Sequence, residues 1–439
     1  MIRATFEETH TAEWLESNIK NRDHELVILR QIIPWEKIIR QLTQFYDKTK
    51  GPLGKSLRMM TALMIISRFY KLSDRDVVKQ VKENRYIQYF CNVADEGLQT
   101  FLHNSSLCIF RKRIGGKGFE IIEQEIFEVL RRCGIIAGDN ALIDSTVLNS
   151  NIIYPNDVQL IHKAFKKMRS FAKLHGIALW WDDKLVRKMW REFGLDKKGN
   201  RAAWLIKFNE IFVPALEIFC EKVESLKPGR QKNKAVKLRD LLNLLEEQTQ
   251  QKLGGETQIK DRIVSLDDPD ARPIKKGKSY PECEFGTTAQ MSFNRQGFMI
   301  TVENFIGNPN DKTLYPATLN LYIKRMKGEP DTVVTDLGSR SPDNLKKTPE
   351  KVGNVFLGRS TDVSGEKERD FCHRARSATE GFIAVAKNLR GLGKSLWHTL
   401  RGHRMWSLVC QAAYNLKKFL MLYYEDEIED EKLSKLGII

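Results

Sequence analysis

Apolar residues recur at helical spacing through roughly the first third of the chain. Leu57, Met60, Leu63, Met64 and Ser67 mark one helix face, and that run ends at Tyr70, Lys71 and Leu72. Ser73 followed by Asp74, Arg75 and Asp76 reads as an N-cap with acids in the next first turn, so a second helix is predicted over 74–84. Two short helices about a tight turn suit a helix-turn-helix whose second member carries Arg75, Lys79, Lys82 and Arg85. An ordinary helical hairpin with a basic solvated face suits the same pattern. Asn104, Ser105 and Ser106 precede the cluster Arg111, Lys112 and Arg113, and Ile122, Ile126, Val129 and Leu130 stripe a further helix closed by Gly134.

The period changes at Ala141. Residues 141–148 read as a buried strand interrupted by one carboxylate, Asp144, and 149–157 as its exit loop. Helical spacing then returns for about a hundred residues, with Ile161, Phe165, Met168 and Ala172 early and Leu238, Leu241, Leu242 and Leu245 late. Trp180, Trp181, Trp190 and Trp204 supply large surfaces that suit packing between these helices better than stacking on a flipped base. Alternation resumes with Cys283, Phe285, Thr287, Ala289 and Met291, and 297–305 makes the partner strand of a hairpin. A helix near 313–325, strands at 332–336 and 355–357, and helices from about Arg374 and Met405 complete the order. Met405, Leu408, Ala412, Leu416, Phe419 and Tyr423 read as core.

This order predicts an α/β core preceded by an all-helical domain and interrupted by a helical insertion between its first and second strands. The predicted division is 1–135 helical, 136–157 first part of the core, 158–258 insertion, 259–424 remainder of the core and 425–439 an acidic tail. That tail reads either as a frayed end or as a segment folding back on basic surface.

Composition narrows the partner. The 439 residues suggest about three structural units. With 41% hydrophobic and 29% charged residues the chain is a folded one, not a disordered or fibrous one. Lys and Arg number 72 against 56 Asp and Glu, a net charge of +16 that favours polyanions, nucleic acid first among them. The best apolar run, 59–66, is far shorter than the 18 or so residues of a spanning helix, and no apolar leader opens the chain, so a cytoplasmic protein is expected. Seven scattered cysteines with no CxxC pair suit reduced thiols and argue against a zinc ribbon. No GxxxxGK[ST] motif occurs, so no nucleotide cofactor is expected.

Three features carry chemistry. Asp144 lies within an apolar strand, where an ionised carboxylate is costly unless paired or bound to metal. Asp336 ends the run Val333, Val334, Thr335 and precedes a Leu337–Gly338 turn, the strand end at which α/β sheets place their sites. Each alone reads equally as a turn-former or a salt-bridge partner. The third feature is a set of four residues, His373, Arg376, Glu380 and Lys387, within an arc of about 60° on one helix face. Phe382, Ile383, Ala386 and Leu389 lie opposite.

The spacing His-x2-Arg-x3-Glu-x6-Lys resembles the Tyr-x2-Arg-x3-Glu-x6-Lys signature of bacterial insertion-sequence DDE transposases, with His373 in place of the usual Tyr. The stretches around Asp144 and Asp336 are similar to that family's two aspartate blocks, and 34–111 to its N-terminal DNA-binding region. The resemblance implies a ribonuclease-H-like mixed sheet in which Asp144, Asp336 and Glu380 gather two Mg2+ ions, Mn2+ substituting. Two such ions, about 4 Å apart, activate the attacking oxygen and stabilise the leaving one. His373, Arg376 and Lys387 would contact DNA phosphates, with weaker DNA contacts at Arg75, Lys79, Lys82, Arg111, Arg113, Lys276 and Lys278. Lys276 and Lys278 fit a solvated loop as well. The implied partners are double-stranded DNA, as terminal inverted repeats and target, and a second copy of the chain in the synaptic complex. The implied location is the nucleoid. A catalytically silent, transposase-derived DNA-binding protein and an RNA-processing nuclease on the same core are the alternatives.

Overall fold

Seven helices precede the first strand in the computed structural model, which describes residues 9–438 except 48, 50–53, 94, 96–101, 197–198, 277–281, 349–351 and 360–361. They are α1 (Ala12–Asn18), α2 (Glu25–Ile32), α3 (Trp35–Leu42), α4 (Leu57–Phe69), α5 (Asp74–Glu83), α6 (Arg85–Cys91) and α7 (Ser105–Arg132). Every residue of α4 is buried, Arg58 and Arg68 included, so this helix is the axis around which the others pack. Lys71, at φ 57°, turns the chain between α4 and α5. Ser73 Oγ then accepts the Asp76 N–H and starts α5, as the capping pattern requires. The long α7 is kinked at Gly115, whose φ of 59° and close Arg401 neighbour leave no room for a Cβ.

Seven strands form one mixed sheet: β1 (Asn140–Ser150), β2 (Arg272–Ile274), β3 (Glu284–Phe293), β4 (Met299–Ile306), β5 (Thr332–Thr335), β6 (Asn354–Leu357) and β7 (Lys394–Ser395). From one edge the order is β2-β3-β1-β5-β6; β4 also pairs with β3 and β7 with the end of β1. β3 runs antiparallel to β1 and β4, whereas β5 and β6 run parallel to β1. The expected hairpin is the β3–β4 pair; β2 and β7 are too short to leave a sequence pattern.

Side chains along β1 alternate between two cores. Ala141 and Ile143 join the large core shared with α7 and with α12 (Asp311–Met326). Leu142 and Leu148 join a smaller core beneath α14 (Glu366–Arg390) and α15 (Thr399–Tyr424). The short α13 (Pro342–Lys347) lies between β5 and β6, and α16 (Asp430–Lys435) ends the chain. The acidic tail is neither frayed nor laid on basic surface. Ile428, Leu433 and Leu436 are buried in the large core, and Glu429 and Glu431 pair with Lys432 and Lys435 of the same segment.

Between β1 and β2 stand α8 (Asp157–His175), α9 (Asp183–Leu195), α10 (Arg201–Glu224) and α11 (Arg230–Leu253), packed around a core of their own. Trp180, Trp181, Trp190 and Trp204 all pack against that core. His162 is buried there, stacked on Trp190 with ring centroids 4.0 Å apart. Burial, with Lys166 and Arg169 nearby, pushes its imidazole down to about 4. The unfolded chain therefore takes up this proton first as pH falls. The stabilising contribution is complete above the ordinary value of 6.5 and is lost toward pH 4, up to about 3 kcal/mol in all. Urea titrations followed by Trp fluorescence should show the wild type losing that much more stability between pH 7 and pH 4 than His162→Phe, which keeps the stack without the titration. Equal losses in both chains would disprove the assignment.

Candidate active site

The parallel register of β1 and β5 sets Leu142 opposite Val334, and continuing it by two residues sets Asp144 level with Asp336. Neighbouring strands lie about 4.8 Å apart. Leu142 and Val334 both belong to the core beneath α14, so by the two-residue alternation the carboxylates occupy that same face. Both are half-buried. Asp144 accepts the N–H of Ser145 at 2.6 Å. Asp336 precedes a short 3-10 turn (Leu337–Ser339), yet its side chain makes no capping bond there, and no hydrogen bond or ion pair to any described residue. It is thus neither the turn-former nor the salt-bridge partner its sequence context also allowed.

Electrostatics confirm the proximity. Burial pushes the Asp144 carboxyl up to about 6, and the charges of Asp336 and Asp311 push the same way. The Ser145 N–H and the Lys276 ammonium pull against them. Asp311 is the residue that local sequence reading missed. Its Oδ1 accepts the Ser145 hydroxyl at 2.9 Å, and Ser145 Oγ in turn accepts from Lys276 Nζ. A Cβ at position 338 would come within 3.0 Å of Asp311 and 3.1 Å of Asp336, so glycine there lets the two acids approach. The Asn310–Asp311 pair did carry a signal. Asn310 is the N-cap of α12, accepting the Lys312 N–H at 3.0 Å, which leaves Asp311 available to the site.

Glu380 stands apart from this group. It lies on α14, is exposed, and makes no hydrogen bond or ion pair with a described residue. The residues that bracket it show where the helix runs. His373 packs edge-on against Phe356 of β6 at 5.2 Å, and Lys387 Nζ reaches Thr146 Oγ1 of β1 at 3.2 Å and Glu284 at 3.8 Å. The helix thus crosses β6, β5 and β1, and Glu380 falls midway, about 10 Å along the axis from each bracket. Arg376 is exposed on the same stripe. The buried stripe is Cys372, Ala375, Thr379, Ile383 and Ala386; Leu389, expected to be buried, is 53% exposed.

Two hard carboxylates, one with raised proton affinity, are the donor type that Mg2+ or Mn2+ takes, and metal and proton compete for the same oxygens. The donor set fits a divalent cation at Asp144 and Asp336 to that extent. Among the described residues, however, no group of three or more His, Cys, Asp or Glu side chains is gathered to hold a metal ion. Glu380 is not drawn up to the aspartates here.

The other predicted contacts divide. Arg75, Lys79 and Lys82 are exposed on α5, Lys79 at 3.9 Å from Glu83. Arg111 is buried and holds Asp74 through two bonds of 2.8 and 2.7 Å, with Trp397 beneath its guanidinium. That arginine pins the start of α5 to α7. Arg113 lies over the Tyr46 ring at 4.7 Å. Lys278 lies outside the described residues.

Comparison with known proteins bears on this architecture. Residues 13–113, covering α1 to α6 and the start of α7, match the family described as Transposase domain (DUF772). Over 169 residues the chain is 31% identical to a Rhizobium meliloti protein described as "Uncharacterized protein ORF8 in nfe locus", covering 37% of this chain and 79% of that one. No solved structure matches. A basic helical unit joined to a mixed sheet with paired carboxylates belongs with DNA-processing enzymes. The chain is a member of the insertion-sequence transposase family. No described helix is long and apolar enough to cross a membrane.

Proposed function

We propose that this protein is a DDE transposase that cleaves DNA at the terminal inverted repeats of its element and joins the freed 3′ ends to target DNA. The observation that carries the reading is the level placement of Asp144 and Asp336 on adjacent parallel strands, one of them with raised proton affinity. The strand order supports a ribonuclease-H-like core. Antiparallel β4 and β3 are followed by β1, then by parallel β5 and β6, with α14 crossing one face. Residues 1–135 act as the DNA-binding domain, 136–157 with 259–424 as the catalytic core, and 158–258 as an insertion.

Asp144 and Asp336 would hold the first of two Mg2+ or Mn2+ ions, and Glu380 would complete the set once DNA and metal draw α14 inward. The metal supplies Lewis acidity and an activated oxygen nucleophile. Lys276, which faces Asp144 with Ser145, offsets part of the acidic charge until metal arrives. Lys387 and Arg376 hold flanking phosphates, and His373 contributes a hydrogen bond that depends on pH. Two active sites are needed to pair two DNA ends, so the synaptic complex contains a dimer.

Purified protein incubated with a duplex carrying the element's end and Mg2+ should release a 3′-OH at the junction between element and flank. Binding of that duplex without metal-dependent cleavage would remove the reading. The separation of Glu380 from the aspartates favours a second reading, a DNA-binding protein that no longer cuts, and that outcome would establish it.

A further inference from the structure

The largest cavity among the described residues, about 790 Å3, opens in the N-terminal helical unit and not at the carboxylates. Arg58 of α4 lines it together with Trp35, Lys37, Ile39 and Arg40 of α3 and with Asn92. Arg58 is only 5% exposed, and both of its terminal nitrogens lack any hydrogen-bond partner. Its guanidinium lies flat over Trp35, 3.2 Å from the ring centroid.

The neighbouring charge has the wrong sign to explain this. Arg30 is also buried and acts on Arg58, and no carboxylate is among the groups that do. Burial and the Arg30 charge together push Arg58 well below the ordinary arginine range. The nearby acid, Glu36, is exposed and paired with Arg40 at 2.6 Å, and Lys37 pairs with Glu125 at 2.7 Å. A buried, unpaired guanidinium is among the costliest groups a fold can carry, and an ion is one standard reason for its presence. The cavity is also lined by the first turn of α3, whose N-cap is Pro34 with no side-chain capping bond, so the positive end of that helix faces the same space.

We propose that this cavity binds a phosphate group, held by the two free N–H groups of Arg58 and by the first turn of α3. Two donors in a fixed planar fork match two phosphate oxygens. The space exceeds what one phosphate needs, so the group arrives on a larger body, either a free nucleotide-sized anion or a DNA backbone. This site shares no residue with the carboxylate site, and either can fail without the other.

The full-length protein is titrated with inorganic phosphate at constant ionic strength, reading thermal unfolding and 31P line width. Wild type should show a saturable rise in Tm and broadening of the phosphate signal. Arg58→Met should lose phosphate affinity by about tenfold or more while melting no lower without phosphate, because it removes an uncompensated buried charge. If Arg58→Met does not fold, the wild-type titration decides alone, with Arg58→Lys as the folded comparison. Absence of any saturable phosphate effect on wild type, or an effect that survives in the variant, overturns the proposal. A second arm measures binding of a duplex carrying the element's end by anisotropy. Competition by phosphate and a comparable loss in Arg58→Met identify a backbone phosphate as the occupant. Unchanged duplex binding beside intact phosphate binding identifies a free anion.

Discussion

Asp144→Asn and Asp336→Asn should each lower metal-dependent cleavage by about a thousandfold or more while leaving duplex binding intact. A metal ion stabilises developing charge by several kcal/mol, and each 1.36 kcal/mol is about a factor of ten in rate. Asparagine preserves the shape of the side chain, and its carbonyl can still accept the Ser145 N–H that Asp144 now accepts at 2.6 Å. The same substitution at 144 should stabilise the metal-free protein. Its carboxyl is held up to about 6 by burial and by Asp336 and Asp311, so the native state keeps a proton that the unfolded chain has already released. The stability tied to that proton is present below the ordinary value of 3.8 and is lost as pH rises through about 6. At pH 8, Asp144→Asn should therefore exceed the metal-free wild type by up to about 3 kcal/mol, and at pH 4 the two should converge. A residue whose removal costs activity and adds stability is there for chemistry and not for packing. Urea unfolding at the two pH values, beside a nicking assay, checks both halves. Full cleavage by Asp144→Asn would exclude it from the active site.

How much of this could be read beforehand depended on whether a residue's reason for being where it is lay nearby in the chain. Asp144 interrupts an apolar strand and Asp336 ends one, so both stood out locally, and the β1–β5 register then places them side by side. The helix bearing His373, Arg376, Glu380 and Lys387 was also legible from its spacing, but its start was not. Residues 366–373 carry charges without apolar periodicity, and α14 is held there by features such as the Asp370–Arg374 pair at 2.8 Å. Leu389 was misjudged because position on a helical wheel says nothing about where the covering layer ends; the helix stops at Arg390 and the leucine projects beyond its cover. Asp311 and Arg58 were invisible for a different reason. Each looks ordinary in its own helix, and only the tertiary arrangement gives one an acidic neighbour and denies the other any partner.

Glu123 is the extreme case of that blindness and carries the largest stability effect expected in the molecule. It sits beside Ile122 in the apolar stripe of α7, is 1% exposed, and receives two bonds of 2.9 and 2.7 Å from Arg325 of α12, 202 residues further along. The Arg325 guanidinium also lies over Phe127 at 4.2 Å. Burial raises the Glu123 carboxyl, and the forked contact with Arg325 pulls it back toward ionisation. This pair fastens the N-terminal helical unit to the helix whose first residue, Asp311, reaches the carboxylate site. Glu123→Leu leaves the Arg325 charge buried with nothing opposite and should cost about 3–5 kcal/mol. The double variant Glu123→Leu/Arg325→Met removes both charges and fills their space with apolar atoms, so it should recover most of that loss or exceed the wild type. Denaturant unfolding of the three proteins at neutral pH distinguishes a pair that contributes net stability from one that is costly only when broken. Recovery in the double variant places the pair in the second class. A double variant as unstable as Glu123→Leu would show that the ion pair itself, and not the orphaned arginine, holds α7 to α12.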